Sequence, residues 1–177
     1  MKFFREKNDE IYSIASMQAR VFERSSKEGL NSHDFIMAFM HSKEAMQLDI
    51  ILFDNAGLSE RELYSSIKTK ISNIKKRTAV YPENIMHWIG FFYRYASYLT
   101  GVPSFMLYKK ITPKYLYSVY PAYHSLEISK AVSVVFDDKS ELFISPQERG
   151  RMELHSNTDE YNYIDVKKLK ELKESFK

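Results

Sequence analysis

The chain has 177 residues, enough for one domain or one domain with an appendage, and its 44% apolar content suits a packed core rather than wholesale disorder. It contains no cysteine, which removes disulfides, thiolate nucleophiles and cysteine-based zinc sites together and suits a reducing compartment. A net charge of +3 does not by itself imply nucleic acid, yet residues 60–126 carry ten basic side chains against three acidic ones, so the middle of the chain should meet either a partner of negative potential or the chain's own acidic ends.

The opening stretch, MKFFREKNDEIY, lacks the long apolar run of a secretory signal. A first helix is expected from Asn8 or Asp9, carrying Ile11, Ile14, Ala15, Val21 and Phe22, with Gly29 just past its end. Ser32 should cap a short second helix with Phe35, Ile36, Phe39 and Met40. Ser42 should cap a third with Ala45, Leu48 and Leu52, closed by Gly57. Ser59 and Glu62 have the spacing of a capping box, placing a fourth helix over Glu60 to about Ile74 with Leu63, Ile67 and Ile71 on one face. The run KKRTAVYPEN reads as an exposed basic loop.

Pro82 suits the first position of a fifth helix. There Ile85, Ile89, Phe92, Ala96 and Leu99 form one apolar stripe, and Trp88, Phe91, Tyr95 and Tyr98 form a second beside it. A helix apolar on two sides should be covered on two sides, which makes it the expected centre of the fold. Gly90 would let a neighbouring backbone come close, and Gly101 would end the helix. The same region, Ile85 to Leu99, is the most apolar window, but it falls short of the roughly 20 residues a bilayer span requires and holds His87 and Arg94. No membrane attachment is expected, and the cytosol is the default location.

Ser104 should open a short sixth helix, SFMLYKKI, and Thr112-Pro113 a seventh that ends near Pro121. Leu126 to Phe136 reads as an eighth, although VSVVF would also suit a short strand. Beyond Asp137 the pattern dissolves into a hairpin or irregular stretch before the amphipathic segment DVKKLKELKESFK, a last helix. The fold class is therefore all-α: a compact bundle of about seven or eight helices over residues 1–137, with a C-terminal extension, 138–177, ending in a helix.

Catalytic patterns are missing. The five histidines match no metal motif; Glu83 and His87, four apart, read as an ordinary helix-face pair. No nucleophile elbow, phosphate loop or dinucleotide fingerprint occurs, and residues 84–126 contain no carboxylate. No catalytic residue, cofactor or metal is expected. Two binding patterns remain. Ala96, Ser97, Gly101 and Val102 followed by SFMLYKKI have the layout of a helix-turn-helix over residues 93–111, with Leu107 pointing inward. Its second helix would present Phe105, Tyr108 and Lys109, aromatic rather than amide-rich. The other pattern is tyrosine: eight of thirteen lie between Tyr93 and Tyr123, interleaved with Arg94, Lys109, Lys110 and Lys114. Such a mixture builds protein interfaces, stacks on single-stranded bases, or simply fills a core with hydroxyls reaching out.

Two stretches carry a family resemblance. SHDFIMAFMHSKEAMQLD, from Ser32 to Asp49, and MHWIGFFYRYASYLTGVPSFMLYKKI, from Met86 to Ile111 with the later YPAYHSLEISKAV, resemble the two signatures of a family of small bacterial proteins, Firmicutes-type, without an established activity. The members look like operon companions of a toxin with an ADP-ribosyltransferase-like domain. The resemblance spans roughly residues 30–135 and departs in the middle segment, at Ala96-Ser97, and after Asp137. It implies an antitoxin-like or regulatory partner and brings no catalytic residue with it. The expected function is a non-enzymatic helical module that binds another protein through Trp88, Arg94, Tyr95, Tyr98, Tyr108, Lys109, Tyr117 and His124. On this reading Arg94 and its neighbouring tyrosines reach into or beside the toxin's acidic or NAD-binding cleft. The alternative is a DNA-binding regulator using residues 93–111.

Overall fold

The computed structural model describes residues 9–50, 59–71 and 79–139. Among them the chain is all helical, with no strand: α1 Asp9–Lys27, α2 Ser32–Met40, α3 Lys43–Ile50, α4 Glu60–Ile71, α5 Glu83–Thr100, α6 Ser104–Lys110, α7 Pro113–Tyr123 and α8 Ile128–Asp138. The VSVVF run, open between helix and strand in the sequence, lies in α8. Leu52, Gly57 and the expected extension after residue 139 lie outside the described residues.

Local chemistry accounts for most of the helix ends. α1 closes in a Schellman motif: the Leu30 amide donates to Ser25 O at 2.9 Å and Gly29 to Ser26 O at 2.8 Å, with Gly29 at φ 68°. The Glu62 amide donates to Ser59 Oγ, and the Ser59 amide to Glu62 Oε2, each at 3.2 Å, completing the expected capping box of α4. Ser42 Oγ caps α3 through the Ala45 amide, and Thr112 Oγ1 caps α7 through the Tyr115 amide. Two expected starts shift by one residue. Asn31, not Ser32, caps α2, because Ser32 Oγ instead accepts from the Tyr81 amide at 2.8 Å and ties α2 to the segment before α5. Pro82 is the cap of α5 rather than its first residue, its carbonyl accepting from Met86 N at 3.0 Å.

α5 is the centre. It packs against α1 most extensively and also against α3, α6, α7 and α8. Every residue from Phe92 to Thr100 is buried, so both expected stripes are covered along this half. The closest approach is at Gly90, where an added Cβ would lie 2.9 Å from both Ala19 Cα and Phe22 Cγ of α1. Gly101 at φ 69° then closes α5 in the left-handed conformation. Phe22, Phe35, Phe39 and Phe92 share the apolar interior with Ile14, Ile36 and Val135.

Candidate partner-binding surface

A guanidinium in a protein interior costs several kcal/mol in lost hydration unless every donor is matched. Arg94 is 1% exposed and is matched from three helices. Its Nε donates to Gln18 Oε1 of α1 at 2.8 Å, Nη1 to Asp49 Oδ1 of α3 at 2.6 Å, and Nη2 to Ser104 Oγ of α6 at 3.1 Å. Asp49 is saturated in turn: Ser97 Oγ donates to it at 2.9 Å, and Ser104 donates from both Oγ and its backbone amide. Arg94 therefore fastens the helices together. Tyr95 and Tyr98 are likewise buried. The expectation that Arg94, Tyr95 and Tyr98 meet a partner is corrected here, because five helices surround α5 and this half of it keeps no free face.

The remaining expected residues are at the surface. Tyr117 of α7 is 41% exposed and lies against Tyr81, ring centroids 4.4 Å apart. One turn on, Tyr120 meets the half-buried Trp88 of α5 edge to face at 5.5 Å and stacks on the exposed His124 at 4.6 Å. Asn84 Nδ2 donates to Tyr120 Oη at 3.0 Å and fixes that ring. On α6, Tyr108 is held between two histidines, edge to face with His41, the C-cap of α2, at 5.1 Å and with His33 of α2 at 6.0 Å. Burial raises the Tyr108 phenol, with smaller contributions in the same direction from Asp34 and Tyr81. Beneath them the Tyr93 hydroxyl donates to Ile111 O. The start of α2 joins the two groups, Ser32 holding the Tyr81 amide and the adjacent His33 meeting Tyr108. An aromatic band therefore runs from α2 and α6 across Tyr81 to α7 and the N-terminal half of α5, with Lys109 exposed beside Tyr108.

Tyr81, Asn84, His33 and His41 belong to the band although no binding pattern in the sequence includes them, and Tyr120 belongs to it as a member of the tyrosine run outside the expected contacts. Tyr81 sits in a segment with no periodicity, and nothing local said that Ser32 and Ser26 would pin that segment against α1 and α2. The four-residue spacing predicts a His87–Glu83 pair. His87 Nδ1 instead meets Glu23 Oε2 of α1 at 2.9 Å, while Glu83 lies 3.8 Å from Lys27. Helix-to-helix packing outweighed the one-turn neighbour. Among the described residues no group of three or more metal-ligating side chains converges, and no helix is long and apolar enough to cross a membrane.

Residues 93–111 form a helix, a three-residue turn and a second helix, with Leu107 fully buried as that pattern requires. α6 has seven residues, and Lys109 alone among them is well exposed. No protein-family model matches the chain, and searches of curated proteins and of solved structures return no match. The bacterial-family resemblance rests on the residues quoted for it.

Proposed function

We propose that this chain is a non-enzymatic binding module that docks another protein on the aromatic band of α6, α7 and the N-terminal half of α5. The observation that carries the reading is Tyr117, 41% exposed beside Tyr81 and next to the Trp88–Tyr120–His124 cluster. Tyrosine and tryptophan held rigid at a surface contribute large contact area at small entropic cost, which is why they dominate interface energetics. The fastened core below them supplies the rigidity. The bacterial-family resemblance supports a toxin of ADP-ribosyltransferase-like type as that partner and an antitoxin-like or regulatory role for this chain, in the cytosol.

The DNA-reading alternative has less support. A recognition helix has to present several side chains to base edges. In α6 Tyr108 is engaged by His33 and His41, and Leu107 and Ser104 are buried. The deciding experiment is affinity capture of the tagged chain from its own cells after nuclease treatment, followed by mass spectrometry. A stoichiometric protein lost on Tyr117→Ala supports the module. Capture of nucleic acid alone favours the α5–α6 corner as a DNA reader.

A further inference from the structure

On α1 and α4 every cation but the exposed Arg61 is paired within the chain. Lys68 bonds Glu28 at 2.6 Å, Lys70 bonds Glu44 at 2.7 Å, and Arg20 bonds Glu60 at 2.7 Å. α6 and α7 differ. Neither contains a carboxylate, and among the described residues neither Lys109 nor Lys114 forms an ion pair, although both are exposed. Lys109 follows Tyr108 directly, and Lys114 lies one turn before Tyr117, so both border the aromatic band. The rings in the band are engaged with each other: Tyr81 faces Tyr117 at 4.4 Å, and Tyr120 is stacked on His124 at 4.6 Å. A face of each ring is thus occupied. What is offered outward includes ring edges, hydroxyls and two ammonium groups, which suits side-chain insertion better than base stacking on open rings.

From this charge complementarity we infer that the band takes an acidic segment of a partner protein, with an apolar or aromatic anchor against Tyr117 and Trp88 and carboxylates placed to meet Lys109 and Lys114. The inference rests on the protein-binding reading above and narrows it to one chemistry. Attraction between unpaired surface cations and a complementary acidic segment sets orientation and encounter rate, while the aromatic anchor holds the complex.

The test uses the full chain as bait for a random-peptide display library, with oligo(dT) as a competitor. Trp88 is the only tryptophan and stands in the band, so its emission reports occupancy directly. Recovered peptides should be enriched in Asp and Glu around an apolar residue and should shift Trp88 emission on titration. Their affinity should fall about tenfold in Lys114→Glu and in Lys109→Glu, and stay unchanged in Arg61→Glu on α4. Peptides without acidic enrichment, no recovered peptides, or affinity indifferent to Lys114→Glu would overturn the inference, as would oligo(dT) displacing the peptides. If a cellular protein is captured while the peptides are not acidic, the inference fails and the protein-binding reading stands. If neither is obtained, both fail.

Discussion

Arg94 Nη1 lies 2.6 Å from Asp49 Oδ1, across 45 residues of chain, with both side chains removed from solvent. Asp49 also receives the Ser104 amide at 2.8 Å, so one carboxylate answers α5 and caps the start of α6. Removing Asp49 would leave a buried guanidinium without its countercharge. Asp49→Ala should therefore cost about 3–5 kcal/mol, whereas an apolar pair, Arg94→Met with Asp49→Leu, should recover most of that loss. Urea unfolding of Asp49→Ala and of the double, read at constant m, checks this; equal loss in both would show that shape rather than charge compensation sets the cost.

Gly90 gives a prediction whose sign is informative. Alanine in place of glycine normally favours a helix interior by about 1 kcal/mol. Here the new methyl would meet the Ala19 backbone and the base of the Phe22 ring at 2.9 Å, atoms with no room to retreat inside the α1–α5 contact. Gly90→Ala should instead destabilise by about 1–3 kcal/mol, as overpacked cores do. A raised thermal midpoint would mean that α1 and α5 pack further apart than described.

Tyr95 and Tyr117 separate core from surface within one tyrosine-rich segment. Tyr95 is fully buried, and Tyr95→Ala should cost about 3–5 kcal/mol in unfolding free energy. Tyr117→Ala should change stability by no more than about 1 kcal/mol. Its effect should appear instead in partner affinity, weaker by a factor corresponding to about 2 kcal/mol or more if Tyr117 is an anchor. Denaturation and calorimetric titration with the captured partner measure the two separately. A Tyr117→Ala protein that binds unchanged removes the band as the docking site.

These tyrosines also show what the sequence made legible. Helix starts and stops were readable because they are local chemistry: Ser59 with Glu62, Gly29, Gly101 and Thr112-Pro113 each act over one turn. Helix α5 was legible as the centre because two apolar stripes need two covers. The fate of individual polar residues was not legible. Whether Arg94 faces solvent or core depends on Gln18, Asp49 and Ser104, from three other helices, and spacing along α5 carries no record of them. Tyr81 entered the band for the same reason, through hydrogen bonds to α1 and α2 made by Ser26 and Ser32.

The links between α4 and its neighbours should make stability fall in acid. Burial pushes the Glu44 carboxyl up, but the Lys70 ammonium, at 2.7 Å, and the Ser66 hydroxyl outweigh it and bring it down to about 2. At Glu28 the hydrogen bond from Lys68 leads, the neighbouring Tyr64 and Arg24 act in the same direction and burial opposes, and the carboxyl is again held at about 2. Each folded value is depressed relative to 4.5, so each contribution is complete above about 4.5 and is lost as pH falls toward about 2. Both groups are partly solvated, which makes the contributions modest and reduces them further in salt. Urea midpoints measured between pH 6 and pH 2 should decline through that window, and Glu44→Gln should flatten the decline because one of the depressed carboxyls is gone. A Glu44→Gln profile parallel to that of the parent chain would show that the Lys70–Glu44 bond does not join α3 to α4 in solution.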